Sequence, residues 1–174
     1  GPAFRDSHAA LAFAVAGDDR SLGSMMDGLR ASASSGDTLA VEVMLPLVQG
    51  ISAFVHQDYG EAVRLMEPLF GQDARYDQLC RVGGSHAQRE VFEDTLMEAY
   101  LRAGQFDKAE GLLNNRLKRR ESPRDMFWLA RAQEADGDRG AAESSIRQAR
   151  DGWHDADSSS QETAALNGLA ERIG

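Results

Sequence analysis

The pattern that most constrains the fold of this chain is written twice between positions 104 and 142. The first copy runs Gly104-Gln105-Phe106-Asp107-Lys108-Ala109, and the second runs Gly137-Asp138-Arg139-Gly140-Ala141-Ala142. The glycine and the alanine five positions later both recur after 33 residues. Helical patterning flanks each glycine, which predicts a repeated helix–turn–helix unit. Such a unit cannot bury its own apolar face, so neighbouring units must stack.

A period of about 33–34 residues is typical of the tetratricopeptide repeat and predicts an all-α, right-handed superhelical solenoid. Glycine allows the left-handed backbone conformation that ends the first helix of a unit. Asp107 and Asp138 follow where a carboxylate can cap the second helix. Ala109 and Ala142 are small where two helices cross closely. The alternative is an ordinary helical bundle in which the repeat arose by chance.

Composition limits the classes of protein further. The chain has 174 residues, about one domain's worth. Its 19 Lys and Arg face 28 Asp and Glu, a net charge of −9 that argues against binding to nucleic acid or anionic membranes. The sequence has no signal-peptide pattern and no apolar run of about 18 residues, so no membrane segment is predicted.

The single cysteine, Cys80, excludes an intramolecular disulfide and predicts a reducing, cytoplasmic location. Gly1-Pro2 resembles the remnant of a cleaved expression tag, so residues 3–174 are interpreted as one helical repeat domain, which can be a fragment of a longer protein. The low proline content and the absence of strict apolar–polar alternation support the all-α prediction.

The repeat extends over most of the chain. Helix pairs are predicted at about 5–34, 38–72, 85–120 and 123–153, and a C-terminal capping helix at 159–173. Pro46 is predicted to bend its helix, and Gln57 stands where the other units have glycine. Between Ala62 and Ala109 the spacing exceeds the repeat by 14 residues, which predicts an ordered insertion at 71–84.

Capping residues in the sequence predict where the helices begin. Asp18 or Asp19 is predicted to cap one helix, and Asp37 or Thr38 the next. Three later helix starts are each marked by a serine. The first has glutamine three residues later, which forms a capping box, the second is followed by proline, and the third precedes the last helix. They are Ser85, Ser122 and, within Ser159-Ser160-Gln161-Glu162, the serine that opens the last helix.

One segment carries a family resemblance. The stretch Arg81-Val82-Gly83-Gly84-Ser85-His86-Ala87-Gln88-Arg89-Glu90-Val91-Phe92 resembles the signature of the tetratricopeptide repeat protein 38-like family. Asp6-Ser7-His8, Gly50 with Phe54, and Asp58-Tyr59 before Ala62 are similar too, whereas Glu90 stands where the family usually has aspartate. The resemblance implies an α-solenoid that matches the C-terminal part of longer members. It implies no established catalytic residues and no cofactor.

A catalytic pair, a metal site and a nucleic-acid patch were each considered, and a structural role is favoured in each case. Adjacent helical residues point about 100° apart, so Ser85 and His86 do not form a nucleophile–base pair, and a capping serine is favoured. The four histidines and Cys80 lack metal-ligand spacing, so no metal is predicted. A basic run at a helix C-terminus is interpreted as a solvated helix end rather than a nucleic-acid patch. It comprises Arg116, Lys118, Arg119 and Arg120.

The favoured function is binding of a protein or peptide partner in the concave groove of the solenoid, lined by the first helix of each repeat. Two arginines flanking an exposed aromatic residue, Phe127, are predicted to hold an acidic or C-terminal peptide. The alternative is that these are ordinary surface residues, with Phe127 packed between helices. The predicted groove residues are Asp94, Glu98, Leu101, Arg102, Arg124, Phe127 and Arg131.

Two rival hypotheses remain open from the sequence. An enzyme or a binder of a small anionic ligand would place its site between the 71–84 insertion and the groove. Its converging residues would be Arg75, Tyr76, Arg81, His86 and Arg89. The third hypothesis is a structural domain that forms homo-oligomers through an uncovered end of the solenoid.

Overall fold

The computed structural model describes residues 2–70, 80, 82, 84–155 and 160–174. This part of the chain contains helices and turns and no strand, so the all-α prediction is confirmed. Nine α-helices are described, and the first four are α1 (Pro2–Ala16), α2 (Asp19–Ser34), α3 (Leu45–Val55) and α4 (Tyr59–Met66). The others are α5 (His86–Arg102), α6 (Phe106–Leu117), α7 (Pro123–Asp136), α8 (Arg139–Gly152) and α9 (Gln161–Ile173). A π-helical segment, Ala40–Met44, precedes α3, and a 3₁₀ turn, Glu67–Leu69, follows α4.

The chain divides into two compact units, Gly1–Ala99 and Tyr100–Gly174. The boundary falls inside α5. The first unit contains α1 to α4 with most of α5, and the second contains α6 to α9. Most of the predicted 71–84 insertion lies outside the described residues.

Five turns between helices share one geometry. In each, a residue with positive φ donates its amide to the carbonyl three residues back, and the next residue donates to the carbonyl five residues back. This pair of bonds is the Schellman arrangement that satisfies the last carbonyls of a helix. The residues with positive φ are Gly17, Gly36, Gln57, Gly104 and Gly137.

Gln57 adopts the same conformation as the glycines, with φ of 65°. A side chain in the left-handed region costs about 1–2 kcal/mol. Gln57, the exception in the sequence pattern, therefore makes the same turn as the glycines, with the same two backbone hydrogen bonds.

Aspartates begin the helices that follow most of these turns. Of the predicted alternatives, Asp18 rather than Asp19, and Asp37 rather than Thr38, accepts a hydrogen bond from the amide three residues on. Asp58 and Asp138 do the same. Asp107 lies in the first turn of α6, at the positive end of the helix as predicted, but it is not the cap. The N-cap residue is Gln105, which makes no side-chain capping bond.

Pro46 marks the junction between the π segment and α3. A proline has no amide hydrogen, so it removes one bond from the helical ladder. Leu45 donates to the carbonyl of Ala40, five residues back, which widens the helix one residue before the proline. At Pro46, where the sequence predicts a bend, the structure has a π turn.

Glycine permits a close helix crossing in the first unit. Gly50 is buried on α3, and a Cβ atom placed there would overlap Met66 Cγ on α4. Met66 and Ala62 are fully buried, as are Leu47 and Val48. Tight apolar packing therefore joins α3 to α4.

The second unit buries both apolar and polar contacts. Phe127 on α7, Ile146 on α8 and the α9 stripe Leu166, Leu169 and Ile173 belong to one hydrophobic cluster. The last helix therefore buries an apolar stripe against its neighbours. Within this unit, the hydroxyl of Ser145 on α8 donates to Gln133 Oε1 on α7 over 2.7 Å, and both residues are buried.

Polar contacts also fasten α9 to α8. Arg139 donates to the carbonyl of Ile173, and Arg150 Nη2 donates to Asn167 Oδ1 over 3.2 Å. These bonds hold the middle and the C-terminal end of α9 to its neighbour, and another side of α9 borders a cleft.

Candidate functional site

A cleft of about 440 Å³ opens between α7 and α9 in the second unit. We call it the α7–α9 cleft. Aromatic and aliphatic side chains line its inner part, and charged side chains border it. Its lining residues are Phe127, Trp128, Arg131, Gln161, Glu162, Ala165, Gly168, Leu169 and Arg172.

Serine caps fix where both cleft helices begin. The amide of Asp125 donates to Ser122 Oγ over 3.1 Å at the start of α7, where Pro123 is the first helical residue. The amide of Thr163 donates to Ser160 Oγ over 3.1 Å at the start of α9. Both predicted serine caps are confirmed, and because each sets the start of its helix, it also sets which residues face the cleft.

The inner part of the cleft belongs to the hydrophobic core. Phe127 is only 7% exposed, and its ring centroid lies 6.2 Å from that of Trp153 and 5.9 Å from that of Trp128. Leu169 is 1% exposed. The prediction that Phe127 is exposed is therefore wrong. Phe127 packs between helices, because its face of α7 meets α8 and α9.

Trp128 and Arg131 form the α7 wall of the cleft. The guanidinium carbon of Arg131 lies 4.2 Å from the centroid of the Trp128 ring, and both side chains are partly exposed. A stacked guanidinium of this kind gains about 0.5–2 kcal/mol. Sequence reasoning selected Arg131 but missed Trp128, which supplies the aromatic surface predicted for Phe127.

Arg172 lies on the α9 side. Its Nη1 donates to the carbonyl of Gly168 over 3.2 Å, and its Nε lies 3.4 Å from Glu134 Oε1 on α7. The Arg172 side chain is 59% exposed, so this ion pair contributes about 1 kcal/mol or less. The contact brings the C-terminal turns of α7 and α9 together.

The other predicted groove residues are not among the cleft residues. Arg124 is exposed on α7, one helical turn before Trp128. Asp94 and Glu98 lie in the part of α5 that belongs to the first unit, whereas Leu101 and Arg102 lie in the part that belongs to the second. The structure thus brings two predicted residues, Phe127 and Arg131, into one cleft.

The predicted insertion site falls mainly outside the described residues. Arg75, Tyr76 and Arg81 are not described, and for His86 only the backbone is, at the first position of α5. Arg89 Nη1 donates to the carbonyl of Gly84 over 2.6 Å. A bond to a loop carbonyl is what a structural arginine makes, so Arg89 supports the loop in this structure.

The segment that carries the family resemblance has a structural role at its centre. Gly84 has φ of 81°, and a Cβ atom placed there would lie 2.5 Å from Phe4 Cε2. The Phe4 ring also lies 4.3 Å from the His8 ring, which lies 5.5 Å from Phe92. The two stretches singled out in the sequence, 6–8 and 81–92, therefore meet in the first unit.

Ser85 begins α5 with a capping box. Its amide donates to Gln88 Oε1 over 2.7 Å, and the amide of Gln88 donates to Ser85 Oγ over 3.3 Å. The predicted capping role is confirmed, and it occupies the hydroxyl as an acceptor.

The basic run at the end of α6 is exposed at Lys118, Arg119 and Arg120, as a solvated helix end requires, but not at Arg116. Arg116 is 1% exposed, and its Nη2 lies 3.1 Å from Oδ1 of the equally buried Asp125 on α7. Arg120 Nη2 lies 3.6 Å from the second carboxylate oxygen. Two of the four basic residues thus neutralise a buried acid and position the start of α7.

Four acidic residues interact in the second unit: Asp107, Glu110, Asp136 and Asp138. Partial burial, then the charges of Asp136, Asp107 and Asp138, raise the pKa of Glu110 above its ordinary value. These carboxylates repel one another, which disfavours the ionised form of Glu110.

Comparison with known families and solved structures gives no match. No protein-family model matches the chain, and no solved structure matches it at a significant level. Across the described ranges, no group of three or more His, Cys, Asp or Glu is placed to hold a metal ion. None of the helices in those ranges is long and apolar enough to cross a membrane.

Proposed function

We propose that this chain is a protein-interaction module, a right-handed tetratricopeptide-like solenoid that binds a protein or peptide partner through its concave face. The recurring turn supports the solenoid, since Gly104 and Gly137 make it at the 33-residue interval of the sequence repeat. Fully buried alanines follow three of the turns at one spacing, as close helix crossing requires. They are Ala62, Ala109 and Ala142.

The observation that carries the binding proposal is the α7–α9 cleft. It combines an open apolar surface with guanidinium groups on both walls, Arg131 on α7 and Arg172 on α9. Ligand sites in proteins are typically concave and mostly apolar, with a few polar groups that fix orientation. Guanidinium groups suit carboxylates because they can donate two parallel hydrogen bonds.

The resemblance to the tetratricopeptide repeat protein 38-like family supports the same proposal. Within the resembling segment, Gly84 makes room for Phe4, Ser85 and Gln88 cap α5, and Arg89 bonds a loop carbonyl. Local folding accounts for these residues, so the segment supports a scaffold role rather than a chemical one.

Affinity capture from lysate with the whole chain tests the proposal. The parent is compared with Arg124→Glu/Arg131→Glu, which reverses two charges on one face of α7. The matched control is Lys118→Glu/Arg147→Glu, which makes the same charge change at exposed positions elsewhere in the second unit.

We expect a partner that the parent and the control retain and the α7 variant loses. A partner retained equally by all three proteins would exclude this face. Absence of a partner, together with a mass that rises with concentration, would support self-association instead.

A further inference from the structure

His56 contacts hydrogen-bond acceptors through both nitrogens of its ring. Its Nδ1 lies 2.8 Å from the carbonyl oxygen of Ser52, one turn back in α3. Its Nε2 lies 3.3 Å from Oδ1 of Asp19, the first residue of α2. A carbonyl oxygen and an ionised carboxylate only accept hydrogen bonds, so each ring nitrogen must donate. Only the protonated imidazolium ring carries a hydrogen on both nitrogens.

Loss of the ring proton removes one of these two hydrogen bonds. A neutral ring with its hydrogen on Nδ1 keeps the bond to Ser52 and turns an unshared electron pair toward the Asp19 carboxylate. A neutral ring with its hydrogen on Nε2 keeps the contact with Asp19 and loses the bond to Ser52. Deprotonation therefore breaks either the contact between α2 and α3 or the bond that orients the ring for it.

Asp19 is the charged group that the structure places against His56. α3 itself contains no charged side chain. At the start of α4, Asp58 accepts a hydrogen bond from the amide of Glu61. The other titratable or charged residues on the elements that pack against α3 are Arg5, Asp6 and His8 on α1, Arg20, Asp27 and Arg30 on α2, Glu42 in the π segment, and Tyr59, Glu61 and Arg64 on α4.

The surroundings of His56 favour its protonated form. The hydrogen bond to the Ser52 carbonyl, then the charge of Asp19, raise the pKa of His56 above its ordinary value of 6.5. The folded protein therefore binds this proton more tightly than the unfolded chain does. The stability that the contact contributes is fully present below the ordinary pKa of 6.5 and is lost as the pH rises through the folded pKa.

Few buried side chains hold α2 in place. Its 16 residues are all described, and Leu22 alone among them is buried, whereas α3 buries four of its 11 residues. Gly23 and Gly28 lie inside α2 in open space, where glycine weakens a helix relative to alanine. A helix with little buried apolar surface opens locally more readily than the core does. A contact at its first turn can therefore change how often it opens.

We propose that His56 is a proton-dependent link that fastens the start of α2 to the C-terminal end of α3. In its imidazolium form the ring binds Ser52 and Asp19 together, and α2 opens less often. As the pH rises and the ring becomes neutral, the link is lost and α2 opens more often. The first unit thus responds to pH through one helix, whether or not the chain binds a partner.

Two measurements on the whole chain test the inference. NMR titration of the histidine ring protons gives the pKa of His56, whose signal is identified by its absence in His56→Gln. Amide hydrogen exchange, corrected for the intrinsic exchange rate, gives the protection of α2 at pH 5.5 and at pH 8. His56→Gln and Asp19→Asn each remove one partner. A purely structural effect of either substitution changes protection equally at both pH values, so the pH dependence is the readout.

Two control variants match these substitutions. Asp27→Asn removes another exposed aspartate from α2, one that pairs with Arg30 in the same helix. His154→Gln removes a histidine with similar contacts in the second unit. Its Nδ1 lies 2.8 Å from the carbonyl oxygen of Asp151, and its Nε2 lies 2.9 Å from Oδ2 of the adjacent Asp155. Those contacts are local in sequence and do not join two helices.

We expect the α2 amides of the parent to be about two- to threefold better protected at pH 5.5 than at pH 8, as suits an exposed ion pair. In His56→Gln and in Asp19→Asn this ratio should fall to about one, whereas both controls should keep the ratio of the parent. Asp19→Asn should also lower the pKa of His56, because it removes the facing charge.

Three results would each overturn the inference. The first is a pKa of His56 that is the same in the parent and in Asp19→Asn. The second is equal protection of α2 at the two pH values in the parent. The third is a pH dependence that persists in His56→Gln, since another group would then be its cause.

Discussion

The two compact units join their helices in different ways. In the first unit, α3 meets α4 through Gly50 and Met66, and the buried residues around them are apolar. In the second unit, the ion pair of Arg116 with Asp125 joins α6 to α7, and the Ser145–Gln133 hydrogen bond joins α8 to α7. An apolar crossing depends on shape, whereas a buried polar contact depends on both partners being present. The units should therefore be sensitive to different substitutions.

Removal of one ionic partner should have the largest effect. We expect Arg116→Leu to lower the free energy of unfolding by about 3–5 kcal/mol, because Asp125 then remains buried without its main cation. Urea denaturation followed by circular dichroism measures the change. The double variant Arg116→Met/Asp125→Leu should recover most of the loss, since a packed apolar pair replaces the ion pair. A single variant within about 1 kcal/mol of the parent would show that the pair is not needed.

Two glycine substitutions should change stability in opposite directions. Gly50→Ala should destabilise the first unit by about 1–3 kcal/mol, because its Cβ overlaps the buried Met66. Gly168→Ala should stabilise the second unit by up to about 1 kcal/mol, because it improves helix propensity in open space. Thermal unfolding of both variants gives the two signs. A stabilising Gly50→Ala would mean that the close crossing has no energetic consequence, and a destabilising Gly168→Ala would contradict the open space at that position.

The smallest effect should come from Glu110. Its pKa is raised in the folded state, so the folded protein binds the proton more tightly than the unfolded chain does. Stability contributed by the protonated form is thus present below the ordinary pKa of 4.5 and is lost as the pH rises through the folded pKa. Glu110→Gln should raise stability by a few tenths of a kcal/mol at pH 7 and lose that advantage under acid conditions.

Unfolding in urea at pH 7 and at pH 3.5 measures this difference. Glu143→Gln, at an exposed position on α8, is the control for removing one charge from the same unit. An advantage for Glu110→Gln that is equal at the two pH values would rule out the electrostatic cause.

Local signals made much of the fold predictable. A helix cap depends on two residues three positions apart, so Ser122 could be identified from the sequence alone, and the caps at Asp18 and Asp37 could each be narrowed to two adjacent residues. Some disruption of the helix at Pro46 was also predictable, because proline lacks the amide hydrogen that the helix needs, but the π turn was not. Whether a helix bends or widens there depends on the packing of the residues around it.

The identity of the cleft residues was harder to predict. Phe127 and Trp128 are adjacent aromatic residues about 100° apart on one helix, and the sequence does not say which of them faces the core. Burial of Arg116 was missed because its partner, Asp125, follows nine residues later, beyond a turn. Gly168 could have been noticed in the sequence, since a glycine inside a predicted helix is unfavourable and often has a packing or functional reason.

The recurring turn also bears on how quickly the chain can reach its native structure. Each of the five turns joins helices that are consecutive in sequence, so the contacts around it require only short loops to close. Chains dominated by such local contacts fold in about microseconds to milliseconds. At the residues with positive φ, Gln57 among them, the chain reverses direction between consecutive helices. Each helix pair can therefore begin to form before distant parts of the chain meet.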